Sequence, residues 1–472
     1  MKYIKASLFF LMLIGVNHLY AKEKIKIACI GNSITYGAFL PDRATQSYPA
    51  RLQQMLGDTY EVTNFGVSGT TLLKNGNKPY WATTTYQSAL KSEPNIVFIA
   101  LGTNDSKLIN RKHLSEFSDD YKDLIKSFQN LASKPKVILL TPITVFRIDT
   151  SGIWDKPIAD IMIPAIQNRA FQQDLEIIDL HSLFKDKEAL MPDKVHPNAE
   201  GANFIAKRLY ELLHAKFYAF DISNGIKEQK KEKSFYGFKN YEFTFKGRQA
   251  QIVEPKNAIK GKPWVWRARF FGNEPQADIA LLERGYHLVY CDVAELYGNK
   301  EAIQLWDDFY VYLQKLGLSK KAVLEGYSRG GIYIYAWASL NPKKVSCIYA
   351  DNAVMDVKSW PGAFGKSKGS KKDWEIYKAD FGYKTDEQAK TAKDSPMDKV
   401  KDIVKGKYPM LHIIADEDEA APIDENTIPF AKLIKAAGGN ITIIHKPGAK
   451  HHPHSLANPQ PIVDFVLRAT TK

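Results

Sequence analysis

The chain has 472 residues, 44% of them hydrophobic and 25% charged. That length exceeds one ordinary core and predicts two domains, while the composition excludes a disordered or fibrous chain. The net charge of +13 favours anionic partners, acidic polysaccharides among them, but the excess lies in short clusters such as "KEQKKEK" with no nucleic-acid-binding motif.

The first 21 residues, "MKYIKASLFFLMLIGVNHLYA", place lysines ahead of an apolar run and a small residue, Ala21, after it. This is the anatomy of a signal peptide; the alternative is an uncleaved N-terminal anchor. No later stretch is long and apolar enough to span a bilayer. Residues 1–21 are therefore read as a signal, and the mature chain as exported, periplasmic or secreted, without membrane association after cleavage.

Strand and helix patterns then alternate. "KIKIACI", "YEVTNFGV", "PNIVFIAL", "KVILLTPI" and "LEIIDL" read as buried strands. "SYPARLQQML", "YKDLIKSFQNL" and "EGANFIAKRLYELL" read as amphipathic helices. The alternation predicts a parallel, doubly wound sheet over residues 22–220. The pattern stops at "ISNGIKEQKKEKSF", so residues 221–234 are expected to be a polar linker. The part spanning 235–472 opens with an antiparallel lead-in, "YEFTFKGRQAQIVEP", and returns to α/β rhythm. Its strands are "YHLVYCDV", "AVLEGY", "VSCIYAD", "MLHIIAD" and "ITIIHKPG". Cys29, Cys291 and Cys347 each sit in such a run, an odd and sparse set that predicts buried free thiols rather than a disulfide framework.

Serines stand at two predicted strand ends. A serine hydroxyl needs a general base, an orienting carboxylate and oxyanion donors before it attacks an acyl carbon. In the first half Ser33 in "GNSIT" follows the first strand. "SGTT" after the second offers the Gly69 N–H as a donor, and "GTND" after the third offers the Asn104 side-chain amide. "DKVHP" offers Asp193 and His196 three residues apart. Each feature alone is common, but together they gather at the carboxyl ends of parallel strands, where sites form.

These four blocks resemble those of the SGNH, or GDSL-like, hydrolases over about residues 24–216. The resemblance implies a flavodoxin-like three-layer fold with Ser33 as nucleophile, His196 as base and Asp193 as its orienter. The Ser33 N–H, Gly69 N–H and Asn104 side chain would form the oxyanion hole. Asn32 stands where the family often has Asp, at a residue that shapes the turn. The family consists mainly of esterases acting on acetylated sugars, lipids and similar small esters.

In the second half "GYSRGG" matches Gly-x-Ser-x-Gly between a strand and a helix, the context of a nucleophile elbow at Ser328. The order Ser, acid, His points to Asp418 in "EDEAAP", with Asp416, Asp424 and Asp356 as rivals, and to His451 in "PGAKHHPHSL". The histidine-rich tract, which includes His452 and His454, is an alternative metal site, although no complementary Cys or acidic spacing accompanies it. This half resembles the α/β-hydrolase superfamily over about residues 240–470. The resemblance implies that the Arg329 N–H is an oxyanion donor, with Trp266 or Arg267 from the loop "GKPWVWRARFFG" as the second. The elbow is similar to that of glucuronoyl esterases, Gly-Cys-Ser-Arg-x-Gly, so Arg329 and Arg267 are candidates to meet a uronate ester or carboxylate. Trp264, Trp266 and Trp360 are either sugar-stacking or core residues.

The reading is a bimodular serine esterase removing O-acetyl groups at the N-terminal site and acyl or uronate esters at the C-terminal site. Its partner is polysaccharide or oligosaccharide, acidic chains included. No cofactor, metal or nucleic acid is expected. The rivals are a C-terminal serine peptidase of the prolyl-oligopeptidase type and a non-catalytic glycan-binding domain.

Overall fold

The computed structural model describes residues 23–470; the expected signal peptide lies outside them. Among the described residues no helix is long and apolar enough to cross a membrane.

The run IKIACIG forms β1 (Ile25–Gly31), buried from Ile27 onward, as a parallel strand covered on both faces must be. With β2 (Tyr60–Gly66), β3 (Ile96–Ala100), β4 (Lys136–Leu140) and β5 (Glu176–Ile178) it makes a five-stranded sheet in the order β2-β1-β3-β4-β5. Every pairing in it is parallel. The helices Tyr48–Leu56 and Ala199–His214 cover one face through Leu52, Leu56, Ile205 and Leu209. The helices Thr84–Lys91, Phe117–Gln129 and Ile163–Gln172 cover the other through Tyr86, Tyr121, Leu124 and Ile166. The result is the three-layer α/β architecture read from the sequence, and the order places the sheet's switch point at β1, beside β3.

The second half contributes β6 (Phe217–Tyr218), β7 (Lys231–Phe235), β8 (Phe238–Phe245), β9 (Arg248–Glu254), β10 (Ala258–Ile259), β11 (Trp264–Arg267), β12 (His287–Cys291), β13 (Ala322–Tyr327), β14 (Val345–Asp351), β15 (Pro409–Ala415) and β16 (Asn440–Lys446). β6 pairs with β10 in a separate two-stranded sheet. The other nine form one sheet in the order β16-β15-β14-β13-β11-β12-β9-β8-β7. It is antiparallel from β7 to β12 and parallel from β12 to β16, an α/β-hydrolase sheet.

Two expectations need correction. Residues 221–234 are not a free linker: Ile222 and Ile226 are buried, and Lys231–Phe235 is an edge strand paired with β8. Its charges suit an edge, where lysines discourage further pairing. Second, "WVWR" is not loop but strand β11, flanked by β12 and β13. The alternation of large residues there satisfies two covered faces.

The sheets also share packing. One apolar cluster runs from Ile163, Ile166 and Ala170 through Phe235 and Phe238 to Val265, Val323 and Val463. Glu283 joins the halves by pairing with the Arg208 guanidinium at 2.9 Å and accepting the Asp179 N–H at 2.5 Å.

Candidate active sites

Ser33 opens the short helix Ser33–Tyr36 directly after β1, and Asn32 caps that helix by accepting the Ile34 N–H. Its Oγ stands 2.8 Å from His196 Nε2, and His196 Nδ1 stands 2.6 Å from Asp193 Oδ2. The carboxylate accepts, so Nδ1 carries the proton and Nε2 presents its lone pair to the hydroxyl. Asp193 also accepts the Val195 and His196 backbone N–H groups. Burial works against its charge, but those amides and the His196 ring hold its carboxyl below the usual range.

The expected oxyanion donors lie on the two loops that follow β2 and β3. Gly69 has φ +82°, a left-handed conformation that a side chain resists, and among the described residues its N–H is taken by no protein atom. Asn104 donates one amide proton to the Thr70 carbonyl at 3.0 Å, leaving the other for a ligand. Asp105 ties the loops together by accepting the Leu72 and Leu73 N–H groups at 3.1 and 2.8 Å. Burial pushes the Asp105 carboxyl up to about 7 despite those bonds. The sequence reading missed this brace, although Asp105 sits in the "GTND" block itself.

Ser328 follows β13 and precedes the helix Gly330–Leu340. Its φ of +50° is strained for a non-glycine residue and turns the side chain out of the sheet. Gly326 makes the turn possible, because a Cβ there would lie 2.8 Å from the Gly330 backbone carbon. Ser328 Oγ stands 2.9 Å from His451 Nε2, and His451 Nδ1 meets both Asp418 oxygens at 2.9 and 2.8 Å. Asp418 accepts the Ala420 and Ala421 N–H groups. Burial again opposes its charge, and His451 with these amides lowers the carboxyl nonetheless. The rival acids are engaged elsewhere: Asp416 with His445, Asp424 with Lys366, and Asp356 with Ser395 and the Lys358 N–H.

The Arg329 N–H, at the start of the helix after the elbow, is taken by no described protein atom, so the expected donor is free. Trp266 is a correction. It is fully buried within β11 and packed against Trp306 and Trp337, because its strand is the sheet's interior. Trp264 is likewise core, with its indole N–H donated to the Ser319 carbonyl. Arg267 is 1% exposed and paired with Asp278 and Glu325, so it cannot touch substrate. Burial opposes its charge, yet Asp278 and its other partners keep it a cation. The backbone just beyond β11 reaches the elbow instead: a Cβ on Gly330 would lie 3.7 Å from Ala268 Cβ and 3.9 Å from Arg269 Cβ. The Arg329 guanidinium is held by Asp373 at 2.7 Å and Glu295 at 3.5 Å, with the Phe270 and Trp360 rings 5.9 and 5.6 Å from its Cζ. Trp360 is thus the one expected tryptophan beside the elbow. Cys29, Cys291 and Cys347 are buried free thiols.

Residues 29–203 match the GDSL-like lipase/acylhydrolase family, and residues 307–470 match the prolyl oligopeptidase family. The chain therefore carries an N-terminal domain that matches the GDSL-like family and a C-terminal domain of α/β-hydrolase type that matches the prolyl oligopeptidase family. Its N-terminal part is 42% identical over 212 residues to an acetylxylan esterase of Xylanibacter ruminicola, a match covering 41% of this chain and 43% of that protein. The chain thus spans less than half the length of the relative it matches. Among solved structures, the acylaminoacyl peptidase of Pyrococcus horikoshii aligns at TM-score 0.36 and 17% identity, over 49% of this chain and 38% of that one. The S-formylglutathione hydrolase of Agrobacterium tumefaciens aligns at TM-score 0.38 and 13% identity, over 51% and 98%.

Proposed function

We propose that this chain is an exported, two-site serine esterase acting on decorated polysaccharide, with Ser33 removing O-acetyl groups and Ser328 cleaving a second acyl ester. The observation that carries the reading is that each serine Oγ lies within 3 Å of an imidazole nitrogen whose other nitrogen meets a carboxylate. The acetylxylan esterase named above supports acetylated xylan as the N-terminal substrate.

At the first site His196 Nε2 takes the Ser33 proton as Oγ attacks the acetyl carbon. Asp193 holds the imidazolium that forms, and the Gly69 N–H, Ser33 N–H and Asn104 amide receive the oxyanion. The imidazolium then gives that proton to the sugar oxygen as its bond to the acetyl carbon breaks, releasing the free sugar hydroxyl, and water attacking the acetyl-enzyme repeats the sequence to release acetate. His451 and Asp418 do the same for Ser328. There the Arg329 N–H is one oxyanion donor, and the Arg269–Phe270 backbone replaces Trp266 as the source of the second.

The uronate-ester reading loses support, since Arg267 is buried and the Arg329 charge is already met by Asp373 and Glu295. A neutral acyl group beside Phe270 and Trp360 fits better. A second reading, peptide-bond cleavage at Ser328, is favoured by the prolyl oligopeptidase match.

The test follows acetate release from acetylated xylan by the unaltered chain, Ser33→Ala and Ser328→Ala. Ser33→Ala is expected to lower acetate release by at least about 10⁴-fold, with Ser328→Ala leaving it unchanged. A panel of aryl-acyl esters, uronate methyl esters and peptides then sorts the Ser328 site. Acetate release surviving Ser33→Ala would overturn the first assignment.

A further inference from the structure

The tract after β16 holds three histidines whose ligand-capable atoms, one from each of His451, His452 and His454, lie within 4.8 Å of one another. Two of the three rings are backed by carboxylates. His451 Nδ1 meets Asp418, and His454 Nδ1 meets Asp351 Oδ1 at 3.0 Å. In both rings the proton therefore sits on Nδ1 and the lone pair on Nε2, the state in which imidazoles ligate metals.

The His451 lone pair faces Ser328 Oγ at 2.9 Å. Among the described residues the His454 lone pair meets no partner: its Nε2 is buried and unpaired, in a residue only 4% exposed. A buried, unmet imidazole nitrogen is costly, and the Ser328 triad makes no use of it. His452 is exposed and free to turn, and its ring lies 4.8 Å from that of His454. Lys446, the nearby cation, is already engaged by Asp351 at 3.2 Å and the Pro453 carbonyl at 2.9 Å.

We propose that His451, His452 and His454 bind a divalent cation of the zinc type, and that the bound ion shuts off the Ser328 site. Three neutral imidazoles with water in the fourth position make a tetrahedral set suited to Zn²⁺. The ion takes the lone pair on His451 that otherwise accepts the Ser328 proton, so metal binding and nucleophile activation exclude each other. Among the described residues His196 belongs to no such cluster, and the Ser33 site keeps working. The sequence reading assigned no metal because the tract offers no Cys or acidic ligands; what it could not contain is the buried, vacant nitrogen.

The inhibitory half rests on Ser328 being a hydrolytic site; the binding half does not. Calorimetry with Zn²⁺ on the full chain carrying Ser328→Ala is expected to show one ion bound per chain. Adding His452→Ala should weaken binding at least about tenfold, as losses around metal sites do. In the Ser33→Ala chain, Zn²⁺ should abolish the remaining aryl-ester hydrolysis and EDTA should restore it. His452→Ala in that background should retain metal-free activity yet require at least about tenfold more Zn²⁺. No stoichiometric binding, binding indifferent to His452, or equal inhibition of the Ser33 site would overturn the proposal. Binding that depends on His452 in a chain inactive at Ser328 would leave the metal site standing and remove only the esterase reading of that serine.

Discussion

The Ser33 and Ser328 sites carry the same three side-chain types but assemble them differently. Asp193 and His196 share one turn, three residues apart, and the acid side chain is 34% exposed. Asp418 and His451 come from separate loops, 33 residues apart, and the acid side chain is fully buried. The serines differ too: Ser33 begins a capped helix, whereas Ser328 occupies a strained turn at φ +50°. A triad built within one turn depends on local sequence. One built from distant loops depends on a sheet holding them in place.

The largest expected contrast lies in the acids. Asp418→Asn should lower Ser328-dependent turnover by about 10⁴-fold, because nothing else can hold the His451 tautomer in a buried position. Asp193→Asn should cost at least about tenfold less at the Ser33 site, where water can reach the ring and replace part of the hold. Paired kcat measurements check this, and equal losses would mean that exposure of the acid does not matter.

The proposed oxyanion donors come next. Asn104→Ala should lower kcat for acetate release by about 10²- to 10³-fold with little change in KM. Ser328-dependent activity should stay constant in the same preparation. A fall in both activities would mark a folding defect.

The smallest effect concerns pH. Burial raises the Asp105 carboxyl to about 7, against about 4 for an unfolded carboxylate. Between those values the folded chain keeps a proton that the unfolded chain has released, so this group's contribution to stability falls as pH rises from about 4 to 7 and is flat above. Urea midpoints across that range should fall more steeply in the unaltered chain than in Asp105→Asn. Parallel profiles would remove Asp105 as the source.

The same contrast explains what was legible in the sequence. Ser33, Asp193, His196 and Ser328 lie in short blocks whose spacing reveals them. The parallel, doubly wound sheet and most strands followed from apolar runs between helices, and the three-layer fold from the resemblance to the GDSL-like hydrolases. Asp418 was picked among neighbours of the same type, and only the structure shows Asp416, Asp424 and Asp356 bonded elsewhere. The sequence places Trp266 and Arg267 in a loop near the elbow, and leaves Trp264 between sugar-stacking and core, because "WVWR" reads as part of the loop "GKPWVWRARFFG" and not as a strand. In the folded chain Asp278 and Glu325 meet the Arg267 charge from other elements, a pairing that local sequence cannot display. The strand at Lys231–Phe235 was hidden for a related reason: an edge strand tolerates the charges that a linker also carries.

The central claim is that one chain holds two independently activated serines. Intact-mass analysis after reaction with a fluorophosphonate, which requires an activated serine hydroxyl, tests it most directly. The account predicts two adducts on the unaltered chain, one on Ser33→Ala or Ser328→Ala, and none on the double variant. A single adduct on the unaltered chain, or adducts persisting in the double variant, would contradict it.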